Sequence, residues 1–270
     1  MTDTPILITN GTGKTGSRIA ERLTAAGHAV RVGSRAGSPP FDWEDRGTWG
    51  PALDGTSAAY VSYYPDLAVP GAPEAIAAFT EDALAAGTRR LVLLSGRGEE
   101  EAQRAEEALQ ASGAEWTIVR CSWFAQNFSE GFFRDEIAAG ALAVPTLVDG
   151  VPEPFVDVED IADVAAAALT QAGHAGALYE MTGPELLTFA TAVDVISAAA
   201  GRDVQVVPVE LEDYTRSLPA DLAGFLGYLF TEVLDGRNAA LADGVGRALG
   251  RPARPFGAYA RRAAAAGAWA

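Results

Sequence analysis

The chain has 270 residues and carries 36 acidic against 20 basic side chains, a formal net charge of −16 at pH 7. That charge argues against nucleic acid and anionic membrane surfaces as partners. No apolar stretch reaches transmembrane length and no basic leader with an apolar core is present, so a cytoplasmic protein is expected. A single cysteine, Cys121, excludes an internal disulfide, and two histidines, His28 and His174, are too few for a zinc cluster. Cys121 reads as a small core hydrophobe and both histidines as surface residues.

Residues 5–16 read P-I-L-I-T-N-G-T-G-K-T-G. Ile6, Leu7 and Ile8 form an apolar run that stops on a glycine-rich loop, and Ser17–Ala26 then carries Ile19, Leu23 and Ala26 on one helical face, with Gly27 as cap. Ala29–Val32 predicts a second strand. In such a strand–turn–helix unit, Gly11 and Gly13 let the backbone turn and approach a pyrophosphate, and Gly16 lets the helix pack closely. Asn10, Gly11, Thr12, Gly13, Lys14, Thr15 and Gly16 are therefore the candidate phosphate loop, aimed by a helix N-terminus. After the second strand an NAD enzyme usually places Asp or Glu for the ribose hydroxyls. Here Gly33-Ser34-Arg35 follows, and Arg35 can pair with a ribose 2′-phosphate. NADP(H) is the expected cofactor, with Lys14, the only lysine of the chain, as a second positive contact.

The alternation continues. Ala58–Ser62, Leu91–Ser95 and Thr117–Arg120 read as strands, and Pro73–Ala86 and Glu99–Ser112 as helices closed by Gly87 and Gly113. The pattern predicts an α/β, Rossmann-like, doubly wound parallel sheet with a smaller C-terminal substrate-binding region. The run Glu99-Glu100-Glu101 reads as a helix N-terminus favoured by the dipole. Beyond about Gly140, proline-rich loops surround Val144–Val148 and Pro152–Val156. Asp157 is then the expected cap of a helix over Ile161–Leu169. Leu178–Met181 and Val204–Val209 are isolated strands around a helix, Phe189–Ala200, and the tail is helical. The expected division is a dinucleotide-binding domain over 1–150 and a lid region over 151–270, with 157–170 packing back on the first domain.

These motifs resemble the short-chain dehydrogenase/reductase superfamily in its atypical NmrA-like branch. The narrower strings, Phe41-Asp42-Trp43 with Thr48-Trp49, Trp116–Arg120, Ser122–Glu130, Pro154–Asp160 and Gly183–Thr188, are similar to the ergot-alkaloid reductase family, the agroclavine dehydrogenase and festuclavine synthase type. Asn10 stands where many relatives have glycine, and Cys121 where they commonly have proline. The superfamily's Tyr-x-x-x-Lys acid cannot exist here, because Lys14 is already in the loop. The resemblance implies an NADPH-dependent reductase of a small-molecule imine, iminium or conjugated carbonyl in secondary metabolism. An iminium carbon needs hydride and no proton, which suits the missing acid. A quinone reductase and a non-catalytic dinucleotide sensor are the alternatives.

Candidate residues around the acceptor are Tyr63 and Tyr64 after the third of these strands, and Ser95, which occupies the place of the superfamily's serine and is also near the nicotinamide. Asp42, Trp43 and Ser62 join the cofactor set. Trp123, Phe124, Asn127 and Phe128 are the expected substrate walls, able to hold a flat cation by cation–π attraction. No metal is expected, and a monomer or homodimer is.

Overall fold

The structure, a computed structural model, describes residues 4–216 and 218–270. In chain order its elements are β1 (Ile6–Ile8), α1 (Lys14–Ala25), β2 (Val30–Val32), α2 (Trp49–Leu53), β3 (Ala58–Val61), α3 (Ala72–Ala85), β4 (Arg90–Gly96), α4 (Glu100–Ala111) and β5 (Glu115–Cys121). There follow α5 (Asn127–Glu130), α6 (Arg134–Ala139), β6 (Ala141–Pro145), α7 (Val158–Thr170), β7 (Ala177–Met181), α8 (Phe189–Ala200) and β8 (Gln205–Val209). Four helices close the chain: α9 (Leu211–Thr215), α10 (Ala220–Tyr228), α11 (Gly244–Leu249) and α12 (Phe256–Ala265).

Two compact units share the chain. The first holds residues 1–121, 158–181 and 244–251, and the second holds 122–157, 182–243 and 252–270. The first unit thus ends its leading stretch at Cys121, where the sequence pattern had suggested a border near 150, and α7 belongs to it.

In the first unit six strands lie in the order β2-β1-β3-β4-β5-β7, all pairs parallel. Central strands of such a sheet are covered on both faces, which is why β1 and β3 are continuous apolar runs with every residue buried. Helices α1 and α7 pack together on one face and α3 and α4 on the other, which gives the doubly wound α/β architecture. Order reverses between β1 and β3, and a crevice for ligands opens at the carboxyl ends of the strands at such a point. The alanines of α7 are buried nearly all round, and their small size lets that helix approach both the sheet and α1. Ion pairs lock the approach: Arg22 Nε to Asp163 (2.6 Å), Arg18 Nε to Glu159 (2.7 Å), Arg22 to Glu159, and Arg251 to Asp160 (2.7 Å) and Asp163 (2.5 Å).

His174 corrects the expectation of a surface residue. It is buried, with Nδ1 2.8 Å from the Tyr179 hydroxyl, and burial pushes its imidazole pKa down, helped by Arg90. Cys121 is buried as expected, its thiol pKa pushed up by burial and then by Glu99.

The second unit is built on an aromatic core. Phe128 lies at its centre, 5.2–5.8 Å from the rings of Phe133, Phe155, Phe189 and Phe256. Parallel strands β6 and β8 form its small sheet. Among the described residues no helix is long and apolar enough to cross a membrane.

Candidate functional site

Four turns of the first unit follow strands of its sheet: residues 9–13 after β1, 33–43 after β2, 62–67 after β3 and 97–99 after β4. The first is shaped by Asn10, the one described non-glycine residue with positive φ (+48°). A short polar side chain tolerates that geometry. The Gly13 amide donates to Asn10 O (2.9 Å), and the Gly11 amide to Gly33 O (3.0 Å), tying the turn to the end of β2. Thr9 ties it to β3, with its Oγ1 accepting from the Ser62 amide at 2.8 Å.

The glycines are required by contact. A Cβ on Gly16 would sit 2.4 Å from Asn10 O, and one on Gly11 would sit 2.8 Å from Ile8 O. α1 then begins behind Gly13 with no side-chain cap and no acid in its first turn. A bare backbone turn leading into an uncapped helix start is the donor set that a pyrophosphate fits.

Beside the turn opens a cleft of about 250 Å³ lined by Asn10, Thr12, Ser34, Arg35, Asp42 and Tyr64, among others. Trp43 forms part of its wall and is held rigidly, its Nε1 donating to Ser62 O (2.9 Å) and its ring packed edge-on to Phe41 and Trp49. Arg35 is exposed at the cleft, its guanidinium 5.9 Å from the centroid of the Tyr64 ring, and no carboxylate of the described residues pairs with it. The structure therefore brings together Asn10, Thr12, Arg35, Asp42, Trp43 and Tyr64. Lys14, Thr15 and Gly16 form the first turn of α1. Gly33 and Ser34 also line the cleft. Their place directly before Arg35 was the available sequence signal.

The other candidates divide. Tyr63 packs on Trp43 (5.0 Å) away from the cleft lining, and burial, then Glu44, raises its phenol pKa. Ser95 is a correction. It is buried, and its hydroxyl donates to Glu106 (2.5 Å), which also takes two bonds from Arg120. Its proton is engaged inside the unit, so it orients Glu106 where direct contact with an acceptor was expected. Glu99 stands at the N-terminus of α4, as expected for the Glu99–Glu101 run. Its side chain makes no capping bond and the residue is buried.

In the second unit Phe128 is fully buried among aromatic rings and is core, which corrects its reading as a substrate wall. Trp123 is 8% exposed, 6.4–6.5 Å from the rings of Phe132, Phe189 and Phe230, and its indole N–H has no acceptor among the described residues. Phe124 bridges to Val156 through its backbone, and Asn127 opens α5; both are half-buried.

The parallel sheet with its glycine turn and cleft defines the class of dinucleotide-binding α/β proteins. No family model matches the chain. It is 32% identical over 280 residues to an uncharacterised oxidoreductase, YesF, of Bacillus subtilis, covering 98% of this chain and 97% of the other. It is 31% identical over 278 residues to agroclavine dehydrogenase of Claviceps fusiformis, covering 93% and 94%. The crystal structure of Citrobacter sp. triphenylmethane reductase complexed with NADP(H) matches with a TM-score of 0.77 at 19% identity, over 96% of this chain and 99% of that one. The chain belongs to the oxidoreductase family of these relatives.

Proposed function

We propose that the chain is an NADPH-dependent reductase of a small-molecule imine, iminium or conjugated carbonyl. The observation that carries the cofactor choice is Arg35. It lies at the end of β2, exposed at the cleft, over Tyr64 and without a carboxylate partner among the described residues. A guanidinium there matches a 2′-phosphate, and an acid would repel one.

The backbone of residues 10–13 and the start of α1, with Lys14, Thr15 and Gly16, hold the pyrophosphate. Arg35 and Ser34 hold the ribose phosphate, and Asp42, Trp43 and Tyr64 wall the adenosine end, with Ser62 fixing Trp43. When bound, the reduced nicotinamide supplies a hydride. The acceptor class is supported by the agroclavine dehydrogenase relative and by the Trp123–Glu130 and Gly183–Thr188 strings. Tyr63 frames the acceptor from the β3 edge.

Calorimetry with NADPH and NADH tests the cofactor, and NADPH oxidation with matched cyclic imine, enone, quinone and ketone tests the reaction. NADPH binding without turnover of any acceptor would favour a dinucleotide sensor. Equal affinity for the two dinucleotides would refute the role of Arg35.

A further inference from the structure

Glu99 sits where the carboxyl end of β4 passes into α4. Its backbone is extended (φ −102°, ψ 118°), and its side chain makes no capping bond to the helix it precedes. Instead the carboxyl folds back over Gly96, the last residue of β4: a Cβ on Gly96 would lie 1.8 Å from Glu99 Oε2. A side chain at Gly96 would have to push the carboxyl aside.

Glu99 is 9% exposed. Its charged surroundings are one-signed. Asp66 faces it from the turn after β3 and Glu106 from α4, while the thiol of Cys121, the register partner of Gly96, lies beside it on β5. The nearby arginines are directed elsewhere: Arg97 to Glu180 at 3.8 Å, Arg120 to Glu106 and Glu180. A carboxylate desolvated in this way and set between two others is disfavoured against the neutral acid. Burial, then Asp66 and Glu106, pushes Glu99 well above the ordinary carboxylate range. Carboxylic acids kept protonated at neutral pH by such surroundings serve as proton donors.

The position matters as much as the protonation. β4 is an interior strand of the sheet, and its carboxyl end belongs to the edge at which α/β sheets hold ligands. The residues proposed for the dinucleotide leave from the same edge, after β1, β2 and β3. No Tyr-x-x-x-Lys acid exists to compete for the role.

We propose that Glu99 is the proton donor of this reductase, and that its acceptor is therefore a neutral, polarised double bond, a conjugated carbonyl, quinone or neutral imine. The proposal rests on the reductase reading above. In the step the acceptor's π bond breaks and its electrophilic carbon gains the hydride from the reduced dinucleotide, which is oxidised. The acceptor's heteroatom, or in a conjugated carbonyl the carbon alpha to the carbonyl group, takes the proton from Glu99. The carboxylate left behind recovers a proton from water.

The test uses the full chain and Glu99→Gln, with Glu99→Asp as the conservative variant and circular dichroism to verify folding. Infrared difference spectra of the protein without ligands should show a protonated-carboxyl band at neutral pH that is lost in Glu99→Gln. With a conjugated carbonyl, Glu99→Gln should lose about a hundredfold in kcat with KM within a few-fold. It should also lose the alkaline fall of the pH profile, and Glu99→Asp should restore part of the rate. The loss with a preformed cyclic iminium should be at least tenfold smaller. Absence of the infrared band, an unchanged conjugated-carbonyl rate, or equal loss with both acceptors would overturn the proposal while leaving the reductase reading in place. Failure of the parent to reduce any acceptor would overturn both.

Discussion

Arg35 carries its charge into solvent beside Tyr64, so replacing it disturbs little of the fold, and the cost of its removal is read in binding. Arg35→Ala should erase most of the preference for NADPH over NADH, on the order of 1–3 kcal/mol for a lost charge-assisted contact. Calorimetry with both dinucleotides checks this. Gly16 is the opposite case, a position whose cost falls on the fold. A methyl there meets Asn10 O at 2.4 Å, a backbone atom that cannot swing aside, so Gly16→Ala should destabilise by roughly 1–3 kcal/mol. Urea unfolding measures it. Ser95→Ala removes one bond to a carboxylate that keeps its Arg120 contacts, so about 1 kcal/mol of stability should go while kcat changes less than threefold. A collapse of kcat at full stability would place the hydroxyl on the acceptor after all.

At the scale of elements, the pairing of α1 with α7 joins residues some 140 positions apart. Glu159 is the hub, held by Arg18 and Arg22. Burial alone would raise its pKa, but hydrogen bonds from Arg22 and Arg18 outweigh that and lower it below the ordinary value. A folded pKa below the unfolded one means stability that is present above the unfolded pKa and is lost as pH falls through the folded one. Glu159→Gln should therefore lower the melting temperature at neutral pH, by about 1–2 kcal/mol in stability, and flatten its decline in acid. An unchanged acid limb would show that the pair contributes nothing. Periodicity made α1, α3 and α8 legible from local apolar spacing and glycine caps, and Phe189–Ala200 matches the expected helix residue for residue. The ion cluster was not legible, because nothing local marks which arginine meets which acid across such a separation. The burial of Glu99 was not legible for a related reason. A triple-glutamate run marks a helix start, and only tertiary packing shows one member turned inward.

Over the whole molecule, fold class and the return of α7 to the first unit followed from the sequence, whereas the border at Cys121 and the return of residues 244–251 did not. The chain leaves the first unit after Cys121, Met181 and Arg251 and re-enters it at Val158 and Gly244. Each return is short, and composition does not change at the joins. A fragment ending at residue 150 would lack β7 and α7, leaving β5 as a bare edge and the apolar face that met α7 uncovered. Such a fragment should aggregate on size-exclusion chromatography, and a folded monomer would argue that the returning segments are dispensable. The charged surface is likewise uneven in kind: nearly every cation is arginine, and the single lysine opens α1. An acylating reagent that attacks side-chain amines thus has one lysine to label, at the mouth of the phosphate loop. Mass spectrometry of that adduct, with and without dinucleotide, would turn Lys14 into a built-in reporter of occupancy.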